Sequence, residues 1–117
     1  MKYIIAGGRD FDQFDLMWET CEKIIAGDPD VEIVSGAAVG ADKLGEQYAK
    51  LKEYRVKQFP ADWSLGRKAG PLRNIEMSKY GDVLIAFWDG ESRGTKHMIT
   101  IAKERDLDVH VIAYTKV

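Results

Sequence analysis

The chain has 117 residues, of which 45% are hydrophobic and 31% charged, and a formal net charge of −2. That size suits one domain with one core, read here as a single unit over residues 1–117. The near-neutral charge, without a basic stripe, gives no reason to expect nucleic acid as a partner, and the apolar runs are far shorter than a membrane span.

The first run, "KYIIAGG", reads as a buried strand closed by glycines. It is too short, and wrongly flanked, for a secretory signal, so the cytoplasm is the expected compartment. "FDLMWETCEKIIAG" follows with helical spacing. Phe14, Met17, Trp18, Cys21, Ile24 and Ile25 fall on one face, and Gly27 ends it. Cys21, the single cysteine, excludes an intramolecular disulfide and a cysteine zinc cluster. Its place on the apolar stripe makes it a core residue. "VEIVSG" is the second strand, and "ADKLGEQYAKLKEY" the second helix, with Leu44, Tyr48 and Leu51 as its stripe. "RVKQF" is a more polar strand, suited to a sheet edge and ended by Pro60. "AGPLRNIEMSKY" is a shorter helix with Leu72 and Ile75 inward. "DVLIAFW", the most apolar segment, reads as a central strand covered on both faces. "TKHMITIAKERD" and "DVHVIAY" supply the last helix and strand.

Strands alternating with helices throughout predict a three-layer, Rossmann-like α/β domain: a five-stranded, mainly parallel sheet with helices on both faces. In such a sheet, ligands bind beyond the carboxyl ends of the strands. The turns expected at the amino ends, "GDPD", "KEY", "KYGD" and "ERDLD", are charged and bland. Those at the carboxyl ends are "GGRDFD", "SGAAVGAD", "PADWSLGRKAG" and "DGESRGT". Four distant stretches rich in glycine would thus meet at one edge, and a ligand site is placed there.

"SGAAVGAD", carrying Ser35, Gly36, Gly40, Ala41 and Asp42, is a strand–glycine turn–helix junction. Its free amides near Ala41 and Asp42 would form an anion site at the positive end of the helix dipole. The plainer alternative is a tight turn capped by Asp42. "DGESRGT" repeats the arrangement with Gly90, Ser92, Arg93, Gly94 and Thr95. Its hydroxyls and guanidinium suit a phosphate, although Ser92 or Thr95 could simply cap the helix. Gly8 and Arg9 end the first strand beside this edge, and Arg73 and Asn74 lie early in the third helix. Arg73 could equally form a surface salt bridge. Asp89 is placed to accept hydrogen bonds from a ribose or base, or to cap its turn. Trp63 could stack on a base or pack down as a lid. His97 lies one turn into the last helix, and His110 is read as structural. No metal-ligand spacing is present, and no cofactor is expected.

The blocks "GGRDF", "SGAAVGADKLGEQYA", "PADW", "GRKAGPLRNIEM" and "GDVLIAFWDGESRGTKHMI", in that order, resemble the SLOG superfamily. This is the Rossmann-like group uniting SMF/DprA proteins with the LOG phosphoribohydrolases, and the closer match is to its small YspA-related branch. The resemblance implies a pocket for a nucleotide or nucleotide-derived ligand, with "SGAAVGAD" and "DGESRGT" as its two phosphate-binding turns. It also leaves a homodimer open. LOG enzymes carry "PGGxGTxxE" at the second turn. Here Gly94-Thr95 matches the "GT", but Met98 stands at the glutamate, and methionine can neither take a proton nor stabilise an oxocarbenium charge. Three readings follow, in this order: a nucleotide-binding sensor, sequestering or regulatory module; a nucleoside 5′-monophosphate N-glycosidase with catalysis relocated to Asp89, Glu91 or His97; and a DprA-like binder of single-stranded DNA.

Overall fold

The structure is a computed structural model, described for residues 1–115. Five strands and four helices alternate: β1 (Lys2–Gly7), α1 (Phe14–Ile25), β2 (Glu32–Ser35), α2 (Ala41–Lys52), β3 (Arg55–Gln58), α3 (Ala69–Tyr80), β4 (Val83–Trp88), α4 (Arg93–Glu104) and β5 (Asp108–Ala113). A short 3-10 segment, Trp63–Lys68, precedes α3. The sheet is wholly parallel in the order β3-β2-β1-β4-β5. The chain builds outward from β1 to β3, then crosses to β4 and builds the other way. The reversal falls between β1 and β4, where an open α/β sheet leaves a crevice.

Alternation along β1 sends Tyr3 and Ile5 to one face and Ile4 and Ala6 to the other, and all four are buried. On the first face they pack with Met17, Cys21 and Ile25 of α1 and with Tyr48 and Ala49 of α2. On the second they meet Met77 of α3 and Met98, Ile99 and Ala102 of α4. The three-layer architecture is therefore as the alternating pattern predicts. Cys21 lies in the first cluster, where burial pushes its thiol up to about 12. β4 is buried on both faces but sits beside the middle strand, which is β1.

Two helical stripes differ from the expected ones. Leu51 is exposed, because α2 turns Ala41, Gly45 and Ala49 inward instead. These small residues let the helix approach β1 so closely that a Cβ on Gly45 would lie 2.9 Å from Ile5 Cγ2. Leu72 is also exposed, while Asn74, Met77 and Ser78 form the inner face of α3 and Ile75 is half-buried. Hydropathy alone misorients α3, because two of its inward residues are polar. β3 is exposed along its length, as its polar sequence predicts for an edge. His110, on the opposite edge strand, sits 3.0 Å from Asp108 and plays no part in the core. No helix among the described residues is long and apolar enough to cross a membrane.

These orientations set the relative cost of truncation. Leu72→Ser and Leu51→Ser are expected to change unfolding free energy by no more than about 0.5 kcal/mol. Met77→Ala is expected to cost about 2–5 kcal/mol. Urea denaturation of the three variants checks the ranking, and a large loss for Leu72→Ser would place α3 the other way round.

Candidate ligand cleft at the switch point

A cavity of about 670 Å³ opens at the carboxyl edge of the sheet. Of the sequence-predicted residues, Gly8, Arg9, Asp42, Arg73, Asn74, Asp89, Ser92, Arg93, Gly94 and Thr95 line it, together with Glu91 and His97. Ser35, Gly36, Gly40, Ala41 and Gly90 do not reach its wall. They form the turns that hold it.

The β2–α2 turn is knitted to the end of β1. The Gly8 carbonyl accepts the amides of Phe11 and Ala41, both at 3.2 Å. Gly40 lies so close that a Cβ there would stand 2.4 Å from the Gly8 oxygen, and its φ of +79° already favours glycine. The Ala41 amide, expected to be free for an anion, is therefore occupied by backbone, and Ala41 itself is fully buried. Ser35, also buried, donates its hydroxyl to Glu46 at 2.6 Å and accepts the Ala37 amide at 3.0 Å. What this turn offers the cavity is a carboxylate. Asp42 is only 7% exposed, and its Oδ2 accepts the Ala38 amide at 3.2 Å. Burial raises its pKa to about 6, against the opposing pull of that amide and of the Arg73 and Arg9 charges.

Arg73 links α3 on one face of the sheet to the β2–α2 turn at its carboxyl edge. Its Nη1 donates to the Gly36 carbonyl at 2.6 Å and its Nε to Asn74 Oδ1 at 3.1 Å. Among the described residues it makes no salt bridge. Burial lowers its pKa, opposed by Asp42 and reinforced by Arg9. Asn74 Nδ2 donates to the Gly94 carbonyl at 3.3 Å and lies 3.2 Å from His97 Nδ1, so α3 also clasps the start of α4.

The β4–α4 turn is built differently. Asp89 Oδ1 accepts the amides of Glu91 and Ser92 at 2.8 and 2.9 Å, and Gly90, between Asp89 and Glu91, has a φ of +86°. Trp88 Nε1 donates to the Ser92 carbonyl at 3.1 Å. Ser92 is the N-cap: its Oγ accepts the Thr95 amide at 3.4 Å and sits 3.0 Å from the Thr95 hydroxyl. The helix starts at Arg93, one residue earlier than its glycine suggests. Among the described residues, no protein acceptor meets the Arg93 and Gly94 amides, and a Cβ added at Gly94 would meet nothing within 4 Å. This helix N-terminus brings donors without a protein acceptor, a side-chain cation and open space together at the cavity.

Trp63 stands at the mouth, 59% exposed, with the Arg9 guanidinium 5.8 Å from its ring centroid. It does not pack down as a lid. Asp10, Ala38, Gly70, Pro71 and Met77 also line the cavity and went unnoticed in the sequence. The adjacency of Asp10 to Arg9, and of Gly70-Pro71 to Arg73, was the available signal. Of the acidic lining residues, Asp10 accepts the Tyr114 hydroxyl at 2.8 Å and Asp89 serves its own turn. Met98, 1% exposed, closes the floor where the resembling hydrolases carry glutamate. Among the described residues, no group of histidine, cysteine and acidic side chains could hold a metal.

A doubly wound parallel sheet with a cleft at its switch point defines a Rossmann-like α/β domain. The chain belongs to the YspA, cpYpsA-related SLOG family, whose model matches residues 1–66. It is also similar to the Gene 61 protein of Mycobacterium phage D29, with 33% identity over 116 residues, covering 92% of this chain and 93% of that protein. The family match ends at Gly66, before α3 and the β4–α4 turn.

The raised pKa of Asp42 gives a stability test. In the folded state it holds its proton up to about pH 6, against about 4 when unfolded. The native state therefore binds more protons between these values, and stability falls as pH rises through that window. Asp42→Asn is expected to flatten this part of the profile and to stabilise the domain at pH 7–8, by up to about 3 kcal/mol. Thermal melts from pH 4 to 8 check it; an unchanged slope would show that Asp42 ionises normally.

Proposed function

We propose that the chain binds a nucleotide or nucleotide-derived ligand in this cleft, as a sensor, sequestering or regulatory module. The observation that carries the reading is the start of α4. The unoccupied amides of Arg93 and Gly94, the Arg93 guanidinium and the clear space above Gly94 converge on one side of the cavity. Backbone donors at the positive end of a helix, beside an arginine, suit a phosphate. The volume, about 670 Å³, lies within the range that holds drug-sized and nucleotide-sized ligands. Trp63 offers an exposed aromatic face at the mouth for a base. Membership of the family agrees with a nucleotide-related role. The phosphate is assigned to the β4–α4 turn alone, because the Ala41 amide of the other turn is already bonded to Gly8.

The glycosidase reading has less support. The Asp89 carboxylate holds two amides of its turn, His97 is clasped by Asn74, and Met98 replaces the acid of the hydrolases. Incubation with nucleoside 5′-monophosphates is expected to release no free base. Steady release would favour hydrolysis instead.

A panel of ribonucleoside mono- and diphosphates, screened by thermal shift, is expected to include members that raise the melting temperature. Arg93→Ala is expected to weaken those members about tenfold. Gly94→Ala meets no protein atom, so it should leave the unliganded melting temperature unchanged or slightly higher while weakening binding. No response from any nucleotide would overturn the reading, and normal binding by both variants would move the phosphate elsewhere.

A further inference from the structure

We infer that Asp42 reads ligand hydroxyls, so that the cleft selects phosphorylated compounds with an intact ribose diol over their deoxy counterparts. This rests on the nucleotide reading and names what the β2–α2 turn recognises within it.

Asp42 is an unusual lining group. It is 7% exposed and carries a carboxylate at the wall of the cavity. Its Oδ2 accepts the Ala38 amide, whereas among the described residues no protein donor meets Oδ1. Among those residues, no side-chain oxygen is sealed from solvent without a partner, so Oδ1 keeps some solvent access, and Asp42 lines the cavity. A ligand group placed against it has to be a donor, because phosphate would be repelled and a ligand acceptor would leave both groups unsatisfied. Nor does the site suit a cation. Arg73 of α3 and Arg9 of the β1–α1 turn already act on Asp42 from outside its own helix, and Glu46 on α2 acts in the opposite sense. A third positive charge would meet both guanidiniums. What remains is a neutral donor.

In a nucleotide, neutral donors are the ribose hydroxyls and the N–H groups of the base. The two sites differ in depth. Trp63, the aromatic face suited to a base, is 59% exposed at the mouth, whereas Asp42 is buried. A sugar linking a phosphate at Arg93–Gly94 to a base at Trp63 would present two adjacent hydroxyls to the cavity wall, which Asp42 also lines. A carboxylate oxygen that no protein donor meets can accept from such a pair. Removal of one hydroxyl leaves a buried charge without its partner, which is a steep basis for discrimination.

The test compares AMP with 2′-deoxy-AMP and 3′-deoxy-AMP by calorimetry. Ribose 5-phosphate and 2-deoxyribose 5-phosphate repeat the comparison without a base. In the natural protein, at least one deoxy form is expected to bind about tenfold or more weakly. In Asp42→Asn, which can still accept the Ala38 amide, the gap should close to within about threefold. Equal binding of all ribo and deoxy forms by the natural protein would overturn the inference while leaving the nucleotide reading intact; it would point to a base N–H at Asp42. A gap that persists undiminished in a folded Asp42→Asn protein would overturn it too. Failure of every nucleotide and sugar phosphate to bind would remove the nucleotide reading and this inference with it.

Discussion

The carbonyl of Gly8 governs the working edge of this domain. It accepts two amides, from its own turn and from the first residue of α2. That double acceptance locks the end of β1 to the β2–α2 turn, and it works only because Gly40 lets two backbone segments touch. Three consequences follow. Arg9 is held at the rim next to Trp63. Asp42 is turned into the cavity wall under the Ala38 amide. And the Ala41 amide at the start of α2 is taken by the Gly8 carbonyl, so that donor is not left for an anion.

The opposite side of the cleft is arranged to complementary effect. The β4–α4 turn satisfies itself through Asp89, Ser92 and Trp88, which frees the first amides of α4 to face the cavity. Arg73 and Asn74 then clasp the two turns together from α3. One turn presents open donors and the Arg93 guanidinium; the other presents a buried acceptor flanked by Arg9 and Arg73. A ligand anionic at one end and hydroxylated further along would match this polarity. Two equivalent phosphate cradles would not have produced it.

The switch point explains why distant stretches meet. Strand order β3-β2-β1-β4-β5 separates the loops after β1 and β4 onto opposite faces, leaving a crevice that neither layer fills. Of the five buried polar side chains among the described residues, four lie near it: Ser35, Asp42, Asn74 and Thr95. Each has a partner, so the polar lining is held in shape rather than left to solvent.

Much of this was legible in the sequence. Apolar runs bounded by glycine fixed the strands, and their alternation with amphipathic helices determined a parallel three-layer sheet. That in turn identified the edge where Arg9, Asp42, Arg73 and Arg93 gather. Local patterns could not orient α2 or α3, because small and polar residues, not leucines, face the sheet there. Nor could they show which helix N-terminus is open. Whether an amide is free depends on a carbonyl more than thirty residues away, Gly8 for Ala41, and that pairing exists only once the strands are side by side. The sequence alone determined the fold and the edge that bears the cleft. Tertiary structure decided which turn keeps open helix amides and which presents a buried carboxylate.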